Sequence, residues 1–567
     1  PCMRKSTAPR FEVMKLDAFH RLERHAKRLA EITGILGKYG LSDWFGGLKF
    51  PWLADKLRSS DGQALRDLTT PQRVRMALTE LGTTFIKLGQ MLSTRPDLFG
   101  PELTEELSEL QSNVPADDAA TARAIIEEEL GSTLESLFAS FEAEPLAAAS
   151  IAQVHGATIA DGTPVVVKVL RAGVAAQVET DLEIVQVLAE LLERHSTALR
   201  PYQPVAIVRQ FRKSLLREID FTVERNNLER FATHFENDAF VHIPQVFPDL
   251  CGRRVLTMDR LEGISGTDSQ ALQSSGEDLE AFARRGAGMY LDMVFRDGFY
   301  HADPHPGNLI LLPGGIVGVI DCGMVGRLDE HLLEDIESLL FAVVERDAAE
   351  VVTLLMKLGA ASHEVDRDRF IGDIGDFIAD YVGRPLPDIH IGEALAALFG
   401  IIRRYQVVLP PPLAMLLRTL ILLEGTSRKF HPGLSLAELM EPYYSRILRR
   451  RMSPLRLAKK ARRMYRDWDR LLGRLPRDLR DLLERFSDGT LTVHLDHRHL
   501  DPIINRLVTG IIAAALFLGS SLLWSRQAPP LLGGVSVFGA LGYLASLFII
   551  WKLLRAVKKS GDIDSKD

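Results

Sequence analysis

The sequence contains very few cysteines, three in 567 residues. Cys2, Cys251 and Cys322 lie far apart and form no Cys-x-x-Cys pair, which argues against a disulfide framework and against a structural zinc site. The first residues also lack the apolar run of a secretory signal peptide, so we expect no export. Both absences favour a reducing compartment.

The chain has no basic domain. Its formal net charge is -7, and no segment interleaves aromatic with basic residues, so we predict that it binds no nucleic acid. Positive charge is concentrated in one stretch, residues 446–470. An isolated basic run is usually a solvated helix face, but an apolar segment follows this one closely. Attraction to anionic lipid headgroups is therefore an equally good interpretation.

Long apolar runs are nearly absent until the end of the chain, where there are two, Leu507–Ser525 and Leu531–Trp551. Neither contains a charged residue, and each is long enough to span about 30 Å of hydrocarbon as a helix. The short link between them predicts a hairpin. A buried helical hairpin of a soluble domain is the alternative.

Positive residues flank this hairpin on the outside, and only Arg526 lies in its link. The positive-inside rule therefore predicts that both flanks are cytoplasmic. The flanking residues are Arg498, Arg506, Lys552, Arg555, Lys558 and Lys559.

Most of the remaining sequence has helical patterns, interrupted by two predicted β-hairpins. The first joins Ser150–Ile159 to Pro164–Leu170 around Asp161-Gly162, a strong turn signal. The second joins residues 308–312 to residues 316–320. Helices are predicted over about 1–110, 116–130, 174–235, 279–297 and 330–486.

Lys168 is the one charged residue in a run of valines, 165–169, that forms the second strand of the first hairpin. A lone strand lysine usually faces solvent. A lysine that is flanked by valines and follows a hairpin instead resembles the kinase lysine that holds the α- and β-phosphates of the nucleotide.

Asp303 and Asn308 lie five residues apart in the segment HADPHPGN, the interval between the base and the metal-ligand asparagine of a kinase catalytic loop. Alone, this string could be a structural turn. After the second hairpin, however, comes Asp321-Cys322-Gly323, where a kinase has Asp-Phe-Gly. The order of these elements predicts an ATP site in which Asp303 is catalytic with Lys168, and Asn308 and Asp321 bind Mg²⁺.

From about Leu81 to Arg327 the sequence resembles the UbiB and ADCK family of atypical kinases. Phe85–Gln90 resembles the family's KxGQ motif, which here contains Lys87 and Gln90. Ala147-Ala148-Ala149-Ser150 resembles its alanine-rich replacement for the kinase glycine loop. Glu218-Ile219-Asp220 resembles its ExD motif. The two C-terminal spans are similar to those of bacterial members.

The resemblance implies an α+β fold, an atypical, bilobal protein-kinase-like fold with a helical N-terminal extension and a C-terminal transmembrane hairpin. The expected regions are the extension at 1–115, the N-lobe at 116–260, the helical C-lobe at 261–490 and the hairpin at 500–557.

The resemblance also implies roles for further residues. The glutamate of the ExD motif, Glu218, would be catalytic and pair with Lys168. The helix of Lys87 and Gln90 would fold over the active site and block a protein substrate. We assign the nucleotide-binding set to Ala147, Ala148, Ala149, Ser150, Lys168, Met258, Lys87 and Gln90.

The function implied is that of an ATPase or atypical kinase that supports ubiquinone biosynthesis at the bacterial cytoplasmic (inner) membrane. Its expected partners are anionic lipid, polyprenyl or quinone-like precursors and other enzymes of ubiquinone biosynthesis; a homodimer is left open.

Two other functions stay open, a protein serine/threonine kinase acting in trans and a non-catalytic membrane scaffold switched by nucleotide. Ala302, in place of the usual catalytic-loop arginine, and the early helix at Asp329–Val344 argue against the protein kinase.

Overall fold

The computed structural model describes residues 26–41, 68–110, 116–195, 203–361, 365–451, 500–532 and 535–559, together with Arg480. The chain forms two compact units, residues 1–453 and residues 454–567.

The first unit combines many helices with short strands. Its helices are α1 (Ala26–Lys38), α2 (Thr70–Leu81), α3 (Thr83–Leu92), α4 (Pro96–Phe99), α5 (Pro101–Ser108), α6 (Ala119–Leu130), α7 (Leu134–Leu137), α8 (Val174–His195), α9 (Pro204–Glu218), α10 (Phe221–Phe235), α11 (Ser269–Ser274), α12 (Leu279–Phe295), α13 (Glu330–Val344), α14 (Ala348–Leu358), α15 (Arg367–Tyr381), α16 (Ile391–Arg404), α17 (Pro411–Phe430) and α18 (Leu436–Arg451). Its strands are β1 (Ser140–Phe141), β2 (Ala147–Ala148), β3 (Ala152–Thr158), β4 (Pro164–Leu170), β5 (Val241–His242), β6 (Val255–Asp259), β7 (Ile264–Ser265), β8 (Phe299–His301), β9 (Leu309–Leu312), β10 (Ile316–Val319), β11 (Val325–Arg327), β12 (Ala360–Ala361) and β13 (Val407–Val408).

A five-stranded antiparallel sheet has the order β1-β3-β4-β6, with β2 paired to β3. The predicted hairpin at its centre is confirmed, because β3 and β4 pair along their whole length. Gly162 in the turn has a φ of 89°, a conformation that glycine adopts without steric cost. The Asp161 carboxylate accepts a hydrogen bond from the backbone N–H of Thr163 and closes the turn.

The alternation of side chains along β4 decides where Lys168 lies. Val165, Val167 and Val169 are at most 1% exposed and form a small core with residues of α6 and α7, including Ile126. Successive side chains of a strand point to opposite faces, so Lys168 lies on the other face of the sheet, which is turned towards the helical lobe. The burial of three valines thus orients the lysine.

The second sheet has the order β5-β10-β9-β7, and only β5 and β10 are parallel. The predicted hairpin at 308–320 is confirmed as β9 and β10. Strand β8 pairs with β11, with His301 opposite Val325. This register brings the segment around Asp321 next to the start of the 302–308 loop.

Helices cover this part of the molecule. Helix α13 begins at Glu330 because Asp329 caps it by accepting from the Leu332 N–H. The helix predicted at Asp329–Val344 is thereby confirmed. Helix α17 packs against α12 and α16 within the largest buried core. Its Thr419 hydroxyl lies 3.3 Å from the carbonyl oxygen of Ala302 and fixes α17 to the 302–308 loop.

Helix α3 contains the KxGQ motif and packs against α2, α5 and α8. Phe85 and Ile86 are buried among these helices. At its first residue, the Thr83 hydroxyl donates to the carbonyl oxygen of Ser150 at 2.9 Å. The helix is therefore tied to the end of the alanine-rich segment.

The second unit contains two long apolar helices, α19 (Leu500–Ser525) and α20 (Val537–Lys559), and two short paired strands, β14 (Leu531–Leu532) and β15 (Val535–Ser536). The prediction of a second helical run from Leu531 was wrong at its start, because Leu531-Leu532 pair with Val535-Ser536 instead of entering the helix.

The apolar parts of the two helices, Leu507–Ser525 and Val537–Arg555, are long enough to cross a membrane, and only 11% of each apolar stretch is buried. The two helices pack against each other. Residues 452–470 of the cationic stretch lie outside the described residues.

Candidate active site

One cavity of about 1890 Å³ in the first unit is lined by residues from both lobes and from α3. Most predicted site residues line it: Lys87, Gln90, Ala149, Ser150, Lys168, Glu218, Asp303, Asn308 and Asp321. Ala147 and Ala148 lie on β2, outside this set. Met258 is not part of the lining either; it is 5% exposed and belongs to the core.

Lys168 is held between two carboxylates. Its ammonium nitrogen lies 2.8 Å from both carboxylate oxygens of Glu224 and 3.6 Å from Oδ2 of Asp321. Burial opposes the charged form, but the charges of Asp321 and Glu224 outweigh it and raise the pKa of Lys168 above its ordinary value. Lys168 therefore stays protonated and places a positive charge on the cavity wall.

The expected ion pair between Lys168 and Glu218 is wrong. Glu218 is the last residue of α9, and its carboxylate accepts from the ammonium group of Lys87 on α3. Helix α9 ends at Glu218, and a new helix, α10, begins at Phe221 because the Asp220 side chain caps it by accepting from the Thr222 N–H. Glu224, one turn into α10, pairs with Lys168 instead.

Sequence reasoning missed Glu224 because the motif ends at Asp220. A signal for it does exist in the pattern of α10. The buried positions of this helix include Phe221, Glu224, Leu228 and Phe231, so Glu224 is an acid within an otherwise largely apolar stripe. Such an acid requires a buried partner, and Lys168 provides it.

Asp321 is fixed as an ionised carboxylate. Its Oδ1 accepts from the Gly323 N–H at 2.7 Å. Burial raises the pKa of Asp321, but the Lys168 charge and this hydrogen bond lower it to about 2. The intervening Cys322 is buried, and its carbonyl oxygen accepts from the Asn227 side chain at 3.0 Å, which holds the loop in place.

Asn308 and Asp303 are joined directly. The Asn308 Nδ2 atom donates to Oδ2 and to the backbone carbonyl oxygen of Asp303, both at 3.0 Å. The Asn308 amide oxygen accepts no hydrogen bond from any residue that the structure describes, and it is the atom that can bind a cation.

His301 links the two loops. Its Nδ1 accepts from the Asp303 N–H at 3.0 Å, so its Nε2 carries the proton and donates to the carbonyl oxygen of Asp321. The Tyr290 ring packs edge-on against this imidazole at 5.8 Å. Sequence reasoning placed His301 in the segment but assigned it no role; it is the residue that sets the spacing of the two aspartates.

The residues fit a nucleotide with Mg²⁺. Asp321 and Asn308 offer oxygen ligands, and Mg²⁺ commonly takes one or two protein ligands together with substrate phosphates. Within the described ranges, no three His, Cys, Asp or Glu side chains form a metal cluster. The Ser150 hydroxyl is buried and has no hydrogen-bond partner among the residues that the structure describes.

Three family models match the chain: the ABC1 atypical kinase-like domain at residues 109–355, the UbiB helical domain at 374–435 and the ABC1/UbiB kinase-like C-terminal domain at 494–559. A "Probable protein kinase UbiB" from Pseudomonas fluorescens (strain Pf0-1) is 35% identical over 81% of this chain and 87% of its own length. The chain belongs to the UbiB family.

Other relatives cover even more of it. A "Probable protein kinase UbiB" from Pseudomonas aeruginosa (strain UCBPP-PA14) is 36% identical over 84% of this chain and 89% of its own length. An "Uncharacterized protein in hydrogenase 1 5'region" from Clostridium pasteurianum is 30% identical over 94% of this chain and 99% of its own length. Among solved structures, the Rv3197–erythromycin complex from Mycobacterium tuberculosis has 23% identity and a TM-score of 0.45, over 64% of this chain and 93% of that chain.

The three family models and the UbiB relatives confirm the family membership and the expected kinase-like fold. Lys168, Glu224, Asp303, Asn308 and Asp321 all fall within the UbiB-family kinase-like domain. Helix α3 precedes that domain, and α17 lies in the UbiB helical domain. The cavity is thus built from three regions of the family's architecture.

Proposed function

We propose that this UbiB-family chain binds ATP with Mg²⁺ and hydrolyses it or transfers its terminal phosphoryl group to a small acceptor. The observation that carries the proposal is the position of Lys168, bound by Glu224 and 3.6 Å from Asp321, in the same cavity as Asp303 and Asn308. These are the groups, in the order along the chain, that phosphoryl transfer in kinases requires.

Each residue has a distinct role in this proposal. Lys168 holds the α- and β-phosphates, and the Ser150 hydroxyl donates to a phosphate oxygen. Asn308 and Asp321 hold Mg²⁺, which supplies charge neutralisation at the transferred group. The Asp303 carboxylate is oriented by Asn308 and aligns the attacking water or hydroxyl.

The KxGQ helix supports a small acceptor. Lys87 is bound to Glu218, and the Gln90 side chain donates to the carbonyl oxygen of Leu110 at 3.0 Å. Both residues line the cavity, and in this proposal α3 covers the side on which a polypeptide would approach. Water or a small molecule needs no such open platform.

Membrane anchoring is part of the proposal. Large apolar side chains of α19 and α20 are exposed, among them Leu518 at 68% and Leu544 at 66%, and an apolar surface of this extent suits lipid. We place the hairpin in the bacterial cytoplasmic (inner) membrane with both flanks cytoplasmic, in contact with anionic lipid. There the chain supports ubiquinone biosynthesis by acting on or presenting polyprenyl or quinone-like precursors, alongside other enzymes of ubiquinone biosynthesis.

The test is ATP hydrolysis by the purified full chain, with and without anionic liposomes and a quinone-like phenol. We expect Mg²⁺-dependent turnover that rises with these additions and is lost in Asp321→Asn. Turnover that is identical with and without them would overturn the membrane-linked part, and unchanged turnover in Asp321→Asn would overturn the assigned site.

Two other functions give different results in the same system. A protein kinase function is favoured by the name of the relatives, "Probable protein kinase UbiB", and requires phosphate transfer to a protein in trans. The scaffold reading requires that Asp303→Asn keeps the function while Lys168→Ala loses it.

A further inference from the structure

Arg418 on α17 lines the same cavity as Asp303. Its guanidinium group forms no hydrogen bond and no ion pair with any residue in the part of the chain that the structure describes. Asp303 lines the same cavity, and its negative charge favours the charged form of Arg418 through space. The Asp303 carboxylate is already hydrogen-bonded to Asn308.

The part of α17 that carries Arg418 presents mostly apolar residues to the cavity. Met415, Arg418, Leu422 and Gly425 all line the cavity and are spaced for one face of a helix. Further apolar residues continue this lining from other elements: Met91, Leu98, Leu358, Leu409 and Pro410. Arg418 is therefore a cation set into an apolar stripe, on the Asp303 side of the site.

Arg418 is only partly exposed, and its guanidinium group gains no hydrogen-bond acceptor from the described residues in place of the water it loses, which is unfavourable. Burial lowers the pKa of Arg418, and the Asp303 charge only opposes this. An anion bound at this position during function would supply the missing hydrogen-bond acceptors and the opposite charge. Arginine presents a planar fork of donors that matches a carboxylate or a phosphate.

We propose that Arg418 is the anion-binding subsite for the acceptor, an amphiphile with a carboxylate or phosphate group and an apolar body. The anionic group binds Arg418, the apolar body lies along Met415 and Leu422, and the acceptor hydroxyl is thereby presented to Asp303. The inference rests on the proposed function and names its substrate class. Arg418 precedes Thr419, whose hydroxyl lies 3.3 Å from the carbonyl oxygen of Ala302, the residue before Asp303. This position favours the acceptor over the nucleotide as the source of the anion.

The experiment measures equilibrium binding to the full chain in uncharged detergent. The probes are a decyl-substituted hydroxybenzoate, its methyl ester and, separately, MgATP. The variants are Arg418→Gln, Arg418→Lys and the control Lys429→Gln, which removes an exposed cation of α17 that also lines the cavity. We expect Arg418→Gln to weaken binding of the carboxylate probe by about tenfold or more, with Arg418→Lys intermediate. Lys429→Gln should leave binding of the probe unchanged.

The two controls identify the source of the anion. Binding of the methyl ester should not respond to Arg418→Gln, and the MgATP affinity should stay within about twofold. Loss of MgATP affinity without loss of carboxylate binding would make Arg418 a nucleotide ligand and overturn the proposal. Equal binding of both organic probes in all variants would also overturn it.

Stability gives a second, independent readout. Because Arg418 has no hydrogen-bonded partner among the described residues, Arg418→Gln should not lower the melting temperature. A marked loss would assign Arg418 a structural role and contradict the subsite. If the wild-type chain binds no MgATP, the proposed function fails, while selective loss of carboxylate binding in Arg418→Gln still supports the subsite. If MgATP binds but Arg418→Gln does not affect carboxylate binding, the subsite alone fails.

Discussion

Lys168 and Glu224 form a buried ion pair with both carboxylate oxygens 2.8 Å from the ammonium nitrogen. Their side chains are 16% and 6% exposed. Glu218, six residues earlier, faces a different lysine, Lys87. The two glutamates on either side of the boundary between α9 and α10 therefore pair with two different lysines, one in the sheet and one in α3.

The first prediction separates these two pairs. Glu224→Gln removes the charge that positions Lys168, which then shifts towards Asp321, and we expect the MgATP affinity to fall by about tenfold. Glu218→Gln is the matched control. It leaves the Lys168–Glu224 contact intact, so the MgATP affinity should change by about twofold or less. Titration calorimetry on both variants makes the comparison.

Glu218→Gln should have its own effect elsewhere. It releases Lys87, so backbone amides of α3 should exchange hydrogen faster than in the wild type. Equal losses of MgATP affinity in the two variants would contradict the division of roles between the glutamates.

The second prediction concerns pH. The pKa of Lys168 is raised, so its stabilising charge is fully present below the ordinary value of 10.5 and is lost only as the pH rises through the higher folded value. The pKa of Asp321 is lowered to about 2, so its contribution is present above the ordinary 3.8 and is lost as the pH falls through about 2. Neither group changes charge in the neutral range.

We therefore expect the MgATP affinity to vary by about twofold or less between about pH 7.5 and about pH 9.5. Calorimetric titrations at several pH values measure it. A decrease in affinity with a midpoint near pH 8 would show that Lys168 loses its proton in this range.

The third prediction concerns the N-terminal extension. The carboxylate of Asp181 on α8 is fully buried and accepts from Arg28 of α1 at 2.7 and 3.1 Å. Arg28 also donates to the carbonyl oxygen of Leu81. Arg28→Ala leaves a buried carboxylate unpaired, so α1 should become less stable by about 3–5 kcal/mol.

Local proteolysis and hydrogen exchange of α1 measure this effect. Lys38→Ala is the control, because Lys38 pairs with Glu80 at an exposed position and the loss of an exposed ion pair should change the stability of α1 little. Similar protection of α1 in both variants would argue against the Arg28–Asp181 anchor.

The fourth prediction concerns the apolar hairpin. A Cβ atom at Gly542 would lie 2.2 Å from the Ser520 hydroxyl oxygen, so Gly542→Leu should separate α19 from α20. Gly519→Leu is the control, because a Cβ atom there meets nothing within 4 Å. Disulfide crosslinking between cysteines introduced into the two helices should fall in the first variant and persist in the second.

Much of the fold is predictable from local patterns. The strand of Lys168, both β-hairpins and the helix at Glu330 follow from valine alternation, turn residues and the Asp329 cap. The start of α20 does not follow in this way, because Leu531-Leu532 are apolar enough for a membrane helix and their pairing with Val535-Ser536 decides the boundary.

The candidate site was only partly predictable. The intervals between Asp303, Asn308 and Asp321 predicted that they share one site, because only short loops and one hairpin connect them. The partner of Lys168 depends on where α9 ends and on how α10 packs, which no motif specifies. Met258 illustrates the same limit, since strand position alone does not distinguish a core side chain from a cavity side chain.

The central claim is that Lys168 and Asp321 form a Mg²⁺-dependent ATP site, and equilibrium binding of ATP to the full chain tests it most directly. We predict binding that requires Mg²⁺ and is weakened by about tenfold or more in both Lys168→Ala and Asp321→Asn, while Lys429→Gln binds like the wild type. ATP binding that is independent of Mg²⁺ and equal in all four proteins would contradict the account.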